Sequence, residues 1–478
     1  MTSYHIVGVG GAGMSAIAHL LLDQGHHVSG CDLQDNALTG ELAARGARID
    51  HGHSPLHLEG ADIAVISSAL RADHPEVVAA HERGMPVLKR ADLWRRWSES
   101  KPTLAIAGTH GKTTTTAMAA LILSRLGYDP AFIVPAGGPV PGLPRFARWG
   151  EGPFVIEADE YDRLLLGLLP EVAIITSVDW DHVDIYPSRA DVEATFAQFA
   201  RQVRRTVIAC DEDEGVRRVQ ATVSTGAERP LGDAVFGKAQ WQSYGFGPGA
   251  GWHICGVMTS GMETHWTLQL PEDGTGATSR RIEARLQVPG RHNVLNAVAA
   301  VAAVAQFGVQ PAQALEVLAD FRGAARRFEW KGEAGGVTFV DDYAHNPAKV
   351  AATLQAARAR YGNRRLVVYF QPHTFSRTEK LLGPLAEAFD EADVVLVGDI
   401  YPARERGEDF PGVDATLLVK HIGTSKAAAV GGLDSAVAHL LERVEPGDVV
   451  LTLGAGDGYK VGDEVRRRLS PEDVLHEP

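Results

Sequence analysis

The stretch Gly108-Thr109-His110-Gly111-Lys112-Thr113, set between a short apolar run and a helical repeat, constrains this chain more than any other feature. Thr103 to Ala107 has the length of a buried strand, and Met118, Leu121, Ile122 and Leu126 then recur at helical spacing. The turn between them must be tight. Gly108 and Gly111 let backbone N–H groups point inward at the head of the helix, which makes a cradle for phosphate. Lys112 would then set its ammonium on the β- and γ-phosphates of a nucleotide, with the Thr113 hydroxyl where Mg²⁺ is held and Thr114 just behind it. Ile106 stands where the general G-x-x-x-x-G-K-[ST] pattern has its first glycine, so strand, Gly-Lys-Thr and helix carry the motif together.

A chain of 478 residues exceeds what one core supports, and three domains are expected. No segment approaches the roughly 20 uninterrupted apolar residues of a membrane span, and the N-terminus opens on a strand pattern instead of a signal peptide. A cytoplasmic protein without membrane contact follows. Cys31, Cys210 and Cys255 are scattered, with no metal-ligand spacing, and read as buried thiols in a reducing compartment. A net charge of -14 argues against nucleic-acid binding, so any polyanionic ligand must be met by local basic groups and helix N-termini.

The fold class read from the pattern is α/β in three domains. Residues 1–100 form a Rossmann-like unit: a strand from Tyr4 to Val9, the turn Gly10-Gly11-Ala12-Gly13-Met14-Ser15, a helix to about Leu22, and a strand from His27 ending at Asp32. Taken alone, that unit points to a dinucleotide oxidoreductase. Asp32 suits a ribose or uracil group, or a strand end, and another strand closes at Ser67. Residues 101–322 form a central, P-loop ATPase-like unit with a mostly parallel sheet. Its strand at Phe154 to Ile156 ends in Glu157-Ala158-Asp159-Glu160-Tyr161-Asp162, carboxylates whose mutual repulsion a cation would relieve. The strand Val172 to Val178 ends in Asp179-Trp180-Asp181-His182, placing an imidazole beside them at strand ends, where open α/β sheets bind ligands. Residues 205 to 285 read as a peripheral sheet without a catalytic cluster. His292, Asn293 and Asn296 open an alanine-rich helix, and asparagine amides match the edge of adenine. Residues 323–478 form a second Rossmann-like α/β unit with strands at Val337–Val340, Leu366–Phe370, Val394–Val397 and Val449–Leu453, whose ends carry Asp342-Tyr343-Ala344-His345, Gln371-Pro372-His373, Arg377 and Gly456-Asp457.

In this order the motifs resemble the Mur ligases of peptidoglycan synthesis, and within them the branch that adds L-alanine to UDP-N-acetylmuramate. The resemblance runs over nearly the whole chain, through Gly10 to Ser15, Gly108 to Thr114, Glu157 to Glu160, Asp181-His182, Pro289 to Asn293, Arg327-Phe328, Asp342 to His345, Phe370 to His373 and Gly454 to Asp457. It implies a cytoplasmic enzyme, monomer or weak homodimer, that uses ATP and Mg²⁺ and passes through an acyl phosphate. The first domain, through Gly10, Gly11, Ala12, Gly13, Met14, Ser15, Asp32 and Ser67, would bind the UDP-sugar. Gly108 to Thr114 with His292, Asn293, Asn296, Arg327 and Asp342 would bind ATP, and Thr113, Glu157 and His182 the metal. Lys112, Glu157, His182, Arg327 and His345 would carry catalysis, with Tyr343, His373 and Arg377 on L-alanine. Phe146-Ala147-Arg148 stands where alanine-adding ligases carry Asn-Ala-Arg, and no lysine lies between Lys112 and Lys238 to serve as the carbamoylated lysine of other branches. Glu160-Tyr161-Asp162 is shared with a recycling branch that attaches a preformed tripeptide to the same sugar nucleotide. An NAD-dependent dehydrogenase would leave the phosphate loop idle, and a non-catalytic regulator would have no use for Lys112, Glu157 and His182 together.

Overall fold

In the computed structural model the described residues are all but 68–69, 136–139, 182–184, 226–238, 261–262, 272–279, 404 and 471–478. Three sheets follow one another along the chain. The first is wholly parallel, in the spatial order Arg48–His51, His27–Asp32, Ser3–Val7, Ile63–Ile66, Val87–Lys89. Its reversal of order beside Ser3–Val7 opens a crevice at the carboxyl ends of the strands. The first strand stops at Val7, two residues short of its apolar run, because Gly8 turns into the left-handed region with φ 77°.

The second sheet has ten strands. Thr103–Ala107 lies between Val172–Ile175 and Phe154–Ala158 in parallel register, so the ends of all three open on one side. The segment expected as a peripheral sheet is instead its continuation. Thr206–Cys210, Gln240–Gly245 and Trp252–Ser260 extend the parallel run from Val172–Ile175, and Glu263–Gln269 and Arg281–Leu286 finish it antiparallel. Helices Lys112–Arg125 and Arg291–Ala305 are buried along most of their length and pack together on one face. On the other face, buried residues of the first domain and the second form one continuous apolar core.

The third sheet runs Glu329–Ala334, Val337–Asp342, Val449–Leu453, Leu366–Phe370, Val394–Gly398, Ala427–Gly431, parallel except for its first pair. It carries separate cores on its two faces. No helix of the described residues is long and apolar enough to cross a membrane. Cys31 and Cys210 are buried as expected; Cys255 is only partly so.

Candidate active site

The helix Lys112–Arg125 starts directly at Gly111, whose φ of 80° only glycine adopts without strain. A Cβ on Gly111 would lie 2.5 Å from Asn296 Oδ1, and one on Gly108, at φ 137°, would collide with the Thr176 hydroxyl. The loop is pinned from the neighbouring strand end: Thr109 N–H donates to Ser177 O at 3.0 Å, His110 N–H to Ser177 Oγ at 2.9 Å, and Thr176 Oγ1–H to His110 O at 2.5 Å. His110 Nε2 meets Asp179 Oδ2 at 3.1 Å. Lys112 Nζ curls back on the loop, donating to Gly108 O at 2.6 Å and Glu160 Oε2 at 2.7 Å. Burial would lower the pKa of that ammonium, but Glu160, Asp159 and Glu157 outweigh it and raise the pKa, so Lys112 is charged.

Glu157 stands across the loop. Burial pushes its pKa up to about 6 against the pull of Lys112, a hydrogen bond from Thr113 and the charge of Arg327. Its Oε1 is buried and has no hydrogen-bond partner among the described residues. A buried carboxylate oxygen left open beside a threonine hydroxyl and a phosphate cradle fits a divalent cation. His182 lies outside the described residues, so its expected place as a third ligand has no geometry here.

From the third domain, Arg327 Nη2 donates to Thr113 Oγ1 at 3.0 Å while its guanidinium lies over the Tyr343 ring. Asp342 is held by Phe328 N–H at 2.7 Å and Ala344 N–H at 2.8 Å. His345 is buried, its Nδ1 2.8 Å from Tyr343 O and its ring near that of His373. Burial and then the cations of Lys349 and Arg377 keep its pKa well below the usual imidazole range. Asp181, next to His182, is the meeting point of the two domains: Asn346 Nδ2 donates to it at 3.0 Å, Arg377 Nη2 at 3.3 Å, and Lys349 Nζ stands 4.0 Å away. Asn293 donates to Pro289 O at 2.7 Å and accepts from Asn296, with His292 exposed one residue before.

Lys112, Thr113, Glu157, Asn293, Asn296, Arg327, Asp342, His345, Lys349 and Arg377 line one cavity of about 950 Å³ to which Ala12, at the head of the first domain's first helix, also contributes. Gly10 N–H donates to Asp32 Oδ2 at 2.9 Å, so one oxygen of the expected ribose or uracil ligand already shapes the glycine turn. Ser67 is partly exposed at its strand end. Met14 and Ser15, expected among the sugar contacts, have buried side chains, and their N–H groups donate to Gly11 O at the start of the helix. Phe146 packs edge-on against His19 at 5.2 Å and Arg145 Nη2 reaches Asp23 Oδ1 at 3.2 Å, so that segment joins the first two domains, while Arg148 pairs with Asp129 at 2.6 Å within the second.

Two basic residues of the region went unread in the sequence. Lys349 lines the cavity one helical turn after His345; a lysine two residues beyond Asn346-Pro347 was the available signal. Arg90 lies so close to Gly13 that a Cβ there would stand 3.0 Å from Nη1.

Comparison with known proteins finds one family along the three domains. Residues 3–101 match the domain described as "Mur ligase family, catalytic domain", 106–304 the "Mur ligase middle domain", and 326–456 the "Mur ligase, glutamate ligase domain". The chain is 47% identical over 486 residues to the UDP-N-acetylmuramate–L-alanine ligase of Roseiflexus castenholzii, covering 98% of each, and 46% identical over 487 residues to that of Chloroflexus aggregans, again covering 98% of each. Among solved structures it is similar to the UDP-N-acetylmuramate-alanine ligase of Thermotoga maritima, with TM-score 0.78 and 28% identity over 98% of this chain and 99% of that one. A murein peptide ligase of Psychrobacter arcticus shares the fold, with TM-score 0.71 and 22% identity over 100% of both chains.

Proposed function

The chain belongs to the Mur ligase family, and we infer from that membership that it is an ATP-dependent, ADP-forming amide ligase joining L-alanine to the lactyl carboxylate of UDP-N-acetylmuramate in peptidoglycan precursor synthesis. The observation that carries the reading is the convergence, on one cavity, of a lysine-bearing phosphate loop with arginine and histidine groups from a separate domain.

The chemical problem is that one anion must attack another. A carboxylate oxygen of the sugar attacks the γ-phosphorus of ATP, the bond to the β,γ-bridging oxygen breaks, and ADP departs. The amino group of L-alanine, having given up a proton, then attacks the acyl carbon, and the tetrahedral adduct expels inorganic phosphate. Lys112 and Arg327 neutralise the triphosphate and the loop N–H groups hold it in line. Thr113, Glu157 and His182 would hold Mg²⁺, which when bound supplies positive charge to the phosphate oxygens. Asn293 and Asn296, with His292, face adenine, and Asp342 the ribose; its oxygens keep lone pairs beyond the two backbone bonds they accept. Arg377 takes the alanine carboxylate with guanidinium donors left over from Asp181. Tyr343 and His373 join Arg377 on L-alanine, His345 stands beside the acyl phosphate, and the turn Gly10 to Ser15 with Asp32 and Ser67 receives the UDP group. The division at 1–100, 101–322 and 323–478 assigns one ligand to each domain. We place the enzyme in the cytoplasm as a monomer or weak homodimer, without nucleic-acid or membrane partners.

ADP release measured with UDP-N-acetylmuramate and L-alanine, glycine, L-serine or the L-alanyl-γ-D-glutamyl-meso-diaminopimelate tripeptide tests this. L-Alanine gives the largest kcat/KM; a preference for the tripeptide would move the chain to the recycling branch.

A further inference from the structure

In the first domain one buried carboxylate gathers metal-ligating side chains that the ligase reaction does not use. Glu76, in the first turn of the helix Pro75–Glu82, is 1% exposed. Cys31 comes to it from the end of the strand His27–Asp32, His5 from Ser3–Val7, and His53 and His57 from the stretch after Arg48–His51. Three atoms make a nearly equilateral triangle: Cys31 Sγ lies 3.3 Å from His53 Nδ1 and 3.2 Å from Glu76 Oε2, and His53 Nδ1 lies 3.4 Å from that same oxygen. Bonds of about 2.0–2.3 Å to a tetrahedral Zn²⁺ put neighbouring ligand atoms roughly 3.3–3.8 Å apart. The triangle is therefore close to the size of one face of such a tetrahedron.

A separate observation points to the fourth ligand. His5 is 0% exposed, and its Nδ1 is fixed against Ser29 Oγ at 2.9 Å. Its Nε2 is buried without a hydrogen-bond partner among the described residues and lies 3.9 Å from Glu76 Oε1. An imidazole nitrogen oriented by a bond at its other nitrogen, and left open toward a carboxylate, is how a metal-ligating histidine is held. The remaining imidazoles are already engaged: His57 Nδ1 meets Glu76 Oε1 at 3.0 Å beside Ser54 N–H at 3.1 Å, and His74 Nδ1 accepts Glu76 N–H at 3.4 Å. These contacts fix the carboxylate from outside.

We propose that His5, Cys31, His53 and Glu76 form a structural divalent-metal site that takes Zn²⁺. A thiolate with two imidazoles selects a borderline-soft ion over the hard Mg²⁺ that serves the triphosphate. Without metal the Cys31 thiol donates to Glu76, and burial together with that carboxylate raises its pKa, so metal entry displaces one proton. The site lies directly behind the first glycine turn, because Cys31 O accepts both Gly8 N–H at 2.9 Å and Val9 N–H at 3.0 Å. Filling it stiffens that turn.

The test uses the full-length protein, stripped with a chelator, given Zn²⁺ or Co²⁺ and desalted. The wild type retains about one equivalent of metal per chain, melts several degrees higher with Zn²⁺ but not with Mg²⁺, and with Co²⁺ shows a thiolate charge-transfer band. Cys31→Ser loses the band and the thermal gain, whereas Cys210→Ser keeps both. His53→Gln, at a more accessible position, repeats the loss should Cys31→Ser fold poorly. No retained metal in the wild type, or a cobalt spectrum that Cys31→Ser leaves unchanged in the folded protein, overturns the assignment.

Discussion

Lys112 is charged in a place that burial alone would not allow, and its partners explain both the cost and the use. The ammonium is held by Glu160 and the Gly108 carbonyl, and on the proposed function a triphosphate would replace them as its anion. Lys112→Ala and Glu157→Gln are each expected to lower kcat by about 10²–10³-fold with unchanged circular dichroism, because both act on charge that develops in the transition state. Near-normal turnover in either would put the phosphate elsewhere. Lys349, whose pKa burial lowers to about 8 against the pull of Asp181, adds a further cation between the domains. Lys349→Met should reduce kcat by roughly 10-fold while sparing ATP affinity, checked by steady-state kinetics beside nucleotide titration. His19 makes a stability prediction. Burial first, then Arg45 and Arg145, lower its pKa to about 4, and Arg45 Nη1 donates to its Nδ1 at 2.5 Å, a bond only the neutral ring accepts. The unfolded chain therefore takes up a proton below about pH 6.5 that the folded chain refuses until about 4. Stability present above 6.5 falls through that window by up to about 3 kcal/mol, and His19→Gln should flatten that part of a urea-melt pH series.

At the scale of elements, the phosphate turn works because two glycines leave room that side chains would fill. Gly108→Ala should weaken ATP binding and lower Tm together, since its Cβ meets the Thr176 hydroxyl that anchors the loop. Calorimetric titration and a thermal melt check this, and a variant with wild-type values for both would show the turn to be slack. The same contiguity made this element legible: Thr103–Ala107, Leu366–Phe370 and Val449–Leu453 are fully buried runs whose ends coincide with their apolar stretches. Glu329–Ala334 and Ala427–Gly431 were not legible, one being a largely polar antiparallel edge and the other three alanines with a single valine before its glycine. Site residues divide likewise. Those inside a local motif could be read in place, whereas Lys349, Arg90 and the partners of Asp181 and Glu76 meet only through tertiary contacts between residues far apart in the chain.

For the whole molecule, the joints between domains differ in kind. The first two domains share an apolar core, reinforced by Trp97, Trp149 and Phe154 packed ring against ring. The third meets the second at the site through polar groups, chiefly Arg327 on Thr113 and Asn346 and Arg377 on Asp181. Arg326 and Phe328, just inside the third domain, take φ 58° and 51° and are held there by Asp341, Asp342 and the Gly454 carbonyl. The third domain is accordingly expected to swing while the first two stay together, so ATP with the UDP-sugar should reduce the radius of gyration measured by X-ray scattering. Equal radii with and without ligands would contradict that motion. The central claim is that the cavity lets a carboxylate take the γ-phosphoryl group of ATP before the amine arrives. UDP-N-acetylmuramate labelled with ¹⁸O in its lactyl carboxylate tests it most directly. One labelled oxygen should appear in the inorganic phosphate released with L-alanine, whereas unlabelled phosphate would show that no bond between that carboxylate and phosphorus had formed.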